Sequence, residues 1–104
     1  MKRYRIIIDE EALADLKNAT RWYNGAAHKL GDRFQREVKQ QISGLKAIAT
    51  GYALRHKSIH CMPIKRFPYM VHFTVDETNR TVTVWAIIHT SRHPDVWDEK
   101  TKKS

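Results

Sequence analysis

RFPYMVHFTVDETNRTVTVWAIIHTSRHPDVW, residues 66–97, decides how the rest of this chain is read. Apolar and other residues alternate through Tyr69, Val71, Phe73 and Val75, break at Asp76 to Arg80, and alternate again through Val82, Val84, Ala86 and Ile88. That is the pattern of two half-buried antiparallel strands joined by a short loop. Directly after the second strand come His89, Arg92 and His93, so ionisable groups collect at a strand end, where a rigid scaffold can position chemistry.

Working outward, Lys2 to Asp9 reads as a first strand, with Tyr4, Ile6 and Ile8 on one face and Arg5 and Ile7 on the other. Ile7 makes it apolar on both faces and predicts an interior position in a sheet. Asp9 is placed to cap a helix, and Glu10 and Glu11 complement its positive end. Ala12, Leu13, Leu16, Ala19, Thr20 and Tyr23 form its apolar stripe, Trp22 sits at the stripe's rim, and Asn24-Gly25 offers a stop. A second helix, roughly 30–49, buries Leu30, Phe34, Val38, Ile42, Leu45 and Ile48 against an opposite face of Arg33, Arg36, Lys39, Gln40 and Ser43, and Gly51 ends it. Pro63 marks the next strand as an edge strand, because proline cannot donate to a ladder on that side.

The predicted architecture is therefore α+β in two layers. An N-terminal strand and an antiparallel helical hairpin are followed by a three-stranded antiparallel meander that completes a mainly antiparallel sheet, one face under the helices and the other open. The domain spans residues 1–97, and residues 98–104, without an apolar side chain, are expected to form a flexible tail. At 104 residues the chain can bury one modest core.

Nineteen Lys and Arg against eleven Asp and Glu give a net charge of +8, which suits a polyanionic partner or simply a solvated surface. The single cysteine, Cys61, cannot form an intrachain disulfide, and there is neither a signal-like core nor an apolar run of membrane-spanning length, so a cytoplasmic protein without membrane contact is expected. No zinc-like spacing, phosphate loop, nucleophile elbow or paired carboxylates occur, and no metal or cofactor is expected. Strict alternation sends Met70, His72, Thr83, Trp85, Ile87 and His89 to the open face. Cations for phosphates, rings for bases and imidazoles near neutrality would suit single-stranded RNA there, and a partner peptide groove is the competing reading.

Arg66-Phe67-Pro68-Tyr69, the alternating hairpin and the closing run His89-Thr90-Ser91-Arg92-His93-Pro94-Asp95-Val96-Trp97 resemble the C-terminal signature of the RelE/ParE toxins of bacterial type II toxin–antitoxin pairs. Trp22-Tyr23 and Leu30-Gly31-Asp32-Arg33-Phe34 look like that family too, so the likeness covers nearly the whole chain. The resemblance implies a small basic toxin, of the kind associated with plasmid stabilization, silenced by a cognate antitoxin. One branch of the family cleaves mRNA on the ribosome without a metal; the other poisons DNA gyrase through protein contacts. The nuclease branch carries an arginine directly after the tyrosine that opens the hairpin strand, and here that residue is Met70. If the protein is an endoribonuclease, Arg66, His89, Arg92 and His93 are its candidate catalytic residues. Lys65, Tyr69, Trp85 and Trp97 are candidates for holding substrate or target. A basic nucleic-acid-binding module without toxicity is the reading outside the toxin class.

Overall fold

A computed structural model describes residues 4–48 and 59–91. Its elements run β1 (Arg5–Ile8), α1 (Glu10–Ala26), α2 (Leu30–Ile48), β2 (His60–Pro63), β3 (Tyr69–Asp76) and β4 (Thr81–His89). The four strands form one sheet in the order β1-β4-β3-β2. β2, β3 and β4 make the expected antiparallel meander, and β1 adds to β4 in parallel, pairing Arg5 with Thr81 through Ile8 with Val84. Pro63 does lie on an edge strand. β1, however, is the other edge rather than an interior strand, and Ile7 is 43% exposed there.

Asp9 caps α1 as its sequence position suggests: its backbone is extended and its carboxylate accepts from the Glu11 N–H at 3.1 Å. Ala12, Leu16, Ala19 and Tyr23 are buried at the expected helical spacing. Leu13 turns out 40% exposed and Trp22 66% exposed, so the buried stripe is narrower than the sequence suggests. The Asn24-Gly25 stop is also corrected. α1 continues to Ala26, and the left-handed residue is Lys29, at φ 58°. Asn24 acts on the other helix instead: its Oδ1 accepts the N–H groups of Gly31 at 2.8 Å and Asp32 at 3.3 Å, and its Nδ2 donates to Asp32 Oδ1 at 3.1 Å. One helix thus caps the next. α2 buries Phe34, Val38, Ile42 and Leu45, with Leu30 half-buried and Arg33, Arg36, Lys39, Gln40 and Ser43 exposed. Burial of each such large side chain stabilises by about 1.5–3 kcal/mol. The Gly51 stop lies outside the described residues.

The largest departure from strict alternation is in β4. His72 pairs with Ala86 but Phe73 pairs with Val84, which leaves Trp85 as an extra residue in a β-bulge. Before the bulge, Val82 and Val84 point to the helices together with Val71, Phe73 and Val75, as expected. After it the phase changes: Ile87 joins the core under the helices, whereas Ala86 and Ile88 turn to the other face. That face is not open either. Ile59, Ala86 and Ile88 are buried there in a second small cluster, with Trp85 packed against it and its indole N–H donating to Thr74 Oγ1 at 2.9 Å. β1 ends short of the bulge, and Asp15 of α1 takes over where it stops, its carboxylate accepting from the Ile87 N–H at 3.0 Å.

The β3–β4 turn is held by Asp76, which accepts from the backbone N–H of Asn79 at 3.1 Å and from its side-chain amide at 2.8 Å. The Asn79 side chain foremost, and its backbone second, hold the Asp76 carboxyl below the usual carboxylate range. The tyrosyl hydroxyl of Tyr4 donates to Glu77, and the Arg80 guanidinium lies 4.2 Å from the Tyr4 ring centre, which ties the first strand to this turn.

Gly31 sits where α1 and α2 touch: a Cβ there would meet the Thr20 carbonyl oxygen at 2.0 Å. Gly31→Ala should therefore lower unfolding stability by about 1–3 kcal/mol in urea titrations, the range for overpacking. Gly25, helical and with nothing within 4 Å of an added Cβ, provides the contrast. Gly25→Ala should raise stability by about 0.4–1 kcal/mol.

Asp76 has a lowered folded-state pKa, so its contribution is complete above the unfolded value of about 3.9 and is lost as pH falls through the folded value. Thermal melts should accordingly show wild type more stable than Asp76→Asn at pH 6, with the gap closing below about pH 4.

Candidate functional site

The corner between β2 and β3 is a tight closure. The Ile64 N–H donates to the Tyr69 carbonyl at 2.9 Å, the Tyr69 N–H donates to the Phe67 carbonyl at 2.8 Å, and Arg66 adopts a left-handed φ of 71° to turn the chain. Gln41 of α2 braces this corner from outside the strands. Its Oε1 accepts the Lys65 N–H at 2.7 Å and its Nε2 donates to the Pro63 carbonyl at 3.0 Å. Lys65 and Arg66 are thereby presented to solvent on a fixed backbone.

Phe67 anchors the corner from inside. Its ring lies 5.2 Å from Tyr23 and 5.1 Å from Phe34, and Tyr69 lies 5.0 Å from Phe34, so four rings from three elements and the corner form one edge-to-face cluster. Burial, and secondarily Tyr69, push the Tyr23 phenol above its ordinary value. Tyr69 carries the cluster out to His89, its cross-strand partner, with ring centres 5.2 Å apart at 77°. Because of the bulge, His89 stands on the helix side of the sheet with Tyr69, not on the opposite face with Trp85. Its Nδ1 accepts the Ser91 N–H at 3.1 Å and lies 2.8 Å from the Ser91 hydroxyl. In the neutral ring that places the proton on Nε2, making the outer nitrogen a donor.

The structure thus brings Lys65, Arg66, Tyr69 and His89 to one end of the sheet, linked through the hydrogen bond from the Thr90 N–H to the Pro68 carbonyl at 2.8 Å. Trp85 belongs to the other face. Arg92, His93 and Trp97 lie outside the described residues. Met70 pairs with Ile88 and points away from Tyr69 and His89. Among the described residues no cluster of three or more metal-ligating side chains occurs, and no helix is long and apolar enough to cross a membrane.

Sequence reading passed over Gln41 and Asp15, and took Asn24 for the end of its own helix rather than for a cap on the next. Gln41 carried a faint signal, a polar residue at the border of the stripe formed by Val38, Ile42 and Leu45. Asn24 and Asp15 act across seven and 72 residues, beyond what local pattern can show.

Comparison with known proteins places this two-helix, four-stranded fold. Residues 6–94 match the family model of the ParE toxin of type II toxin–antitoxin systems, parDE. The chain belongs to that family and is the toxin component of such a pair. Among solved structures, a chain of the chromosomal ParDE system from Pseudomonas aeruginosa superposes with a TM-score of 0.72 at 17% identity, covering 83% of this chain and 95% of that one. An arginine double mutant of the Escherichia coli toxin RelE in the free state gives 0.71 at 18% identity, covering 99% and 98%. A chain of the toxin–antitoxin complex RelBE2 from Mycobacterium tuberculosis gives 0.62 at 17%, covering 84% and 98%. At such identities the likeness is one of fold. The curated protein sequences contain no match.

Since Gln41 holds two backbone groups of an exposed corner, its loss should loosen the corner more than the fold. In Gln41→Ala, amide exchange at Lys65 should accelerate several-fold, in line with a net hydrogen bond of about 0.5–1.5 kcal/mol, while the melting temperature changes little.

Proposed function

We propose that this toxin, kept silent by its cognate antitoxin, arrests growth by binding DNA gyrase rather than by cleaving mRNA. The observation that supports this reading is residue 70. Where the nuclease branch of the family carries an arginine directly after the tyrosine that opens the hairpin strand, this chain has Met70, and its side chain faces away from His89. A thioether neither neutralises a pentavalent phosphate nor moves a proton. His89 points the same way: with Nδ1 engaged by Ser91, the neutral imidazole offers an N–H outward and not the lone pair a general base needs. A contact inhibitor requires only a fixed surface, and the braced corner with Lys65, Arg66 and Tyr69 supplies one.

The reading is tested by pulse-labelling DNA and protein synthesis in the minutes after induction in bacteria. DNA synthesis should fall first, and His89→Ala should reduce colony counts as strongly as wild type. Protein synthesis falling first, together with loss of toxicity in His89→Ala, would instead support the ribosome-dependent ribonuclease with Arg66, His89, Arg92 and His93 in catalytic roles.

A further inference from the structure

Next to the strand-end site, and sharing Arg66 with it, α2 and the β2–β3 corner border a cleft of about 250 Å³. It is lined by Leu30, Arg33, Arg36, Glu37, Arg66 and Phe67. Arg33 and Arg36, at i and i+3, lie on one face of the helix, and Arg66 faces them from the left-handed corner that Gln41 fixes. Three arginines and one glutamate therefore line one cleft. Among the described residues, none of the three arginine side chains has a hydrogen bond or ion pair. Glu37, one turn after Arg33 and suitably spaced to pair with it, does not do so. Like charges held together in a concave site without compensation cost stability, and their field is strongest inside the cleft.

We infer that this cleft is an anion site that takes a phosphodiester group of a nucleic-acid strand, with Arg33, Arg36 and Arg66 as its ligands. The planar fork of a guanidinium matches two phosphate oxygens at once, so three such groups can hold one phosphate with its neighbour along the strand. An acidic peptide fits less well, because a docking helix needs apolar anchor points. Leu30 and Phe67 are half-buried, and the Phe67 ring is already committed to Tyr23 and Phe34. Nor does the cleft offer an exposed ring for stacking a base, so the contact positions a strand without reading its sequence. The inference builds on the toxin reading: gyrase works on duplex DNA, which would supply the phosphate chain beside the target.

The test is fluorescence anisotropy with the purified full chain, using a labelled DNA duplex, a labelled single-stranded RNA and, as competitor, a polyglutamate peptide. Binding should weaken at least tenfold in Arg33→Glu/Arg36→Glu, with the slope of log affinity against log salt smaller by about two. Arg33→Gln/Arg36→Gln, which adds no new repulsion, should show the same direction, and circular dichroism melts establish that each variant folds. Lys17→Glu/Arg21→Glu changes the net charge equally on α1 and should retain most of the affinity. Preference for the duplex or for RNA identifies which strand the cleft holds. Equal losses in the α1 and α2 variants, no oligonucleotide binding, or displacement by polyglutamate at lower concentration than by unlabelled oligonucleotide would each overturn the inference. Because the measurement needs neither gyrase nor living cells, its failure leaves the gyrase reading to be decided by the labelling experiment.

Discussion

One unpaired residue in β4 sets the direction of every side chain beyond it. In a strand the side-chain period is two, so the extra residue at Trp85 exchanges the faces of all that follow. Ile87 closes the core under the helices, Ile88 and Ala86 build the second cluster, and His89 meets Tyr69 instead of Trp85. β1 pairs with β4 only as far as Val84, and beyond that point the Ile87 N–H is taken by Asp15 from α1. A buried amide left without an acceptor costs about 1–3 kcal/mol, so the helix is bound to the sheet at the point where the sheet's own ladder gives out.

The elements themselves were legible because each rests on local physics. Alternation marked β3 and β4, four- and three-residue spacing marked α2, a carboxylate before two glutamates marked the start of α1, and Pro63 marked an edge. The bulge was hidden by composition. Val82-Thr83-Val84-Trp85-Ala86-Ile87-Ile88 stays compatible with unbroken alternation because two isoleucines stand side by side, so either can be the inward one. The edge position of β1 was misread for a similar reason: Ile7 is apolar, but an apolar residue on a strand does not by itself create a layer to cover it. Of the candidate site, the sequence placed His89 at the end of the second strand, while its meeting with Lys65, Arg66 and Tyr69, the brace from Gln41 and the orientation of its ring depend on contacts between distant parts of the chain.

The two ends of the sheet divide the chemistry. At the turn end, Tyr4 donates to Glu77 and lies under the Arg80 guanidinium, and the polar groups of Asp76 and Asn79 close a tight loop. At the corner end, an aromatic cluster provides rigidity from within, and among the described residues the side chains of Arg33, Arg36 and Arg66 around it form no ion pair. Rigid support under uncompensated charge is an arrangement for binding, since little ordering entropy remains to be lost when an anionic partner arrives.

The two edges of the sheet are unequal as templates. The Ile64 N–H points to β3, so by alternation Cys61 and Pro63 turn their nitrogens outward, and proline has no hydrogen there to donate. On the opposite side Arg5 and Asp9 donate inward to β4, which leaves Ile6 and Ile8 as outward-facing positions of a strand only four residues long. Among the described residues, β1 is therefore the edge less blunted as a template for strand pairing. Two copies joined through β1 would use up the template edge of both, and the assembly would close at two, whereas a fibre requires a growing edge at each end of every unit.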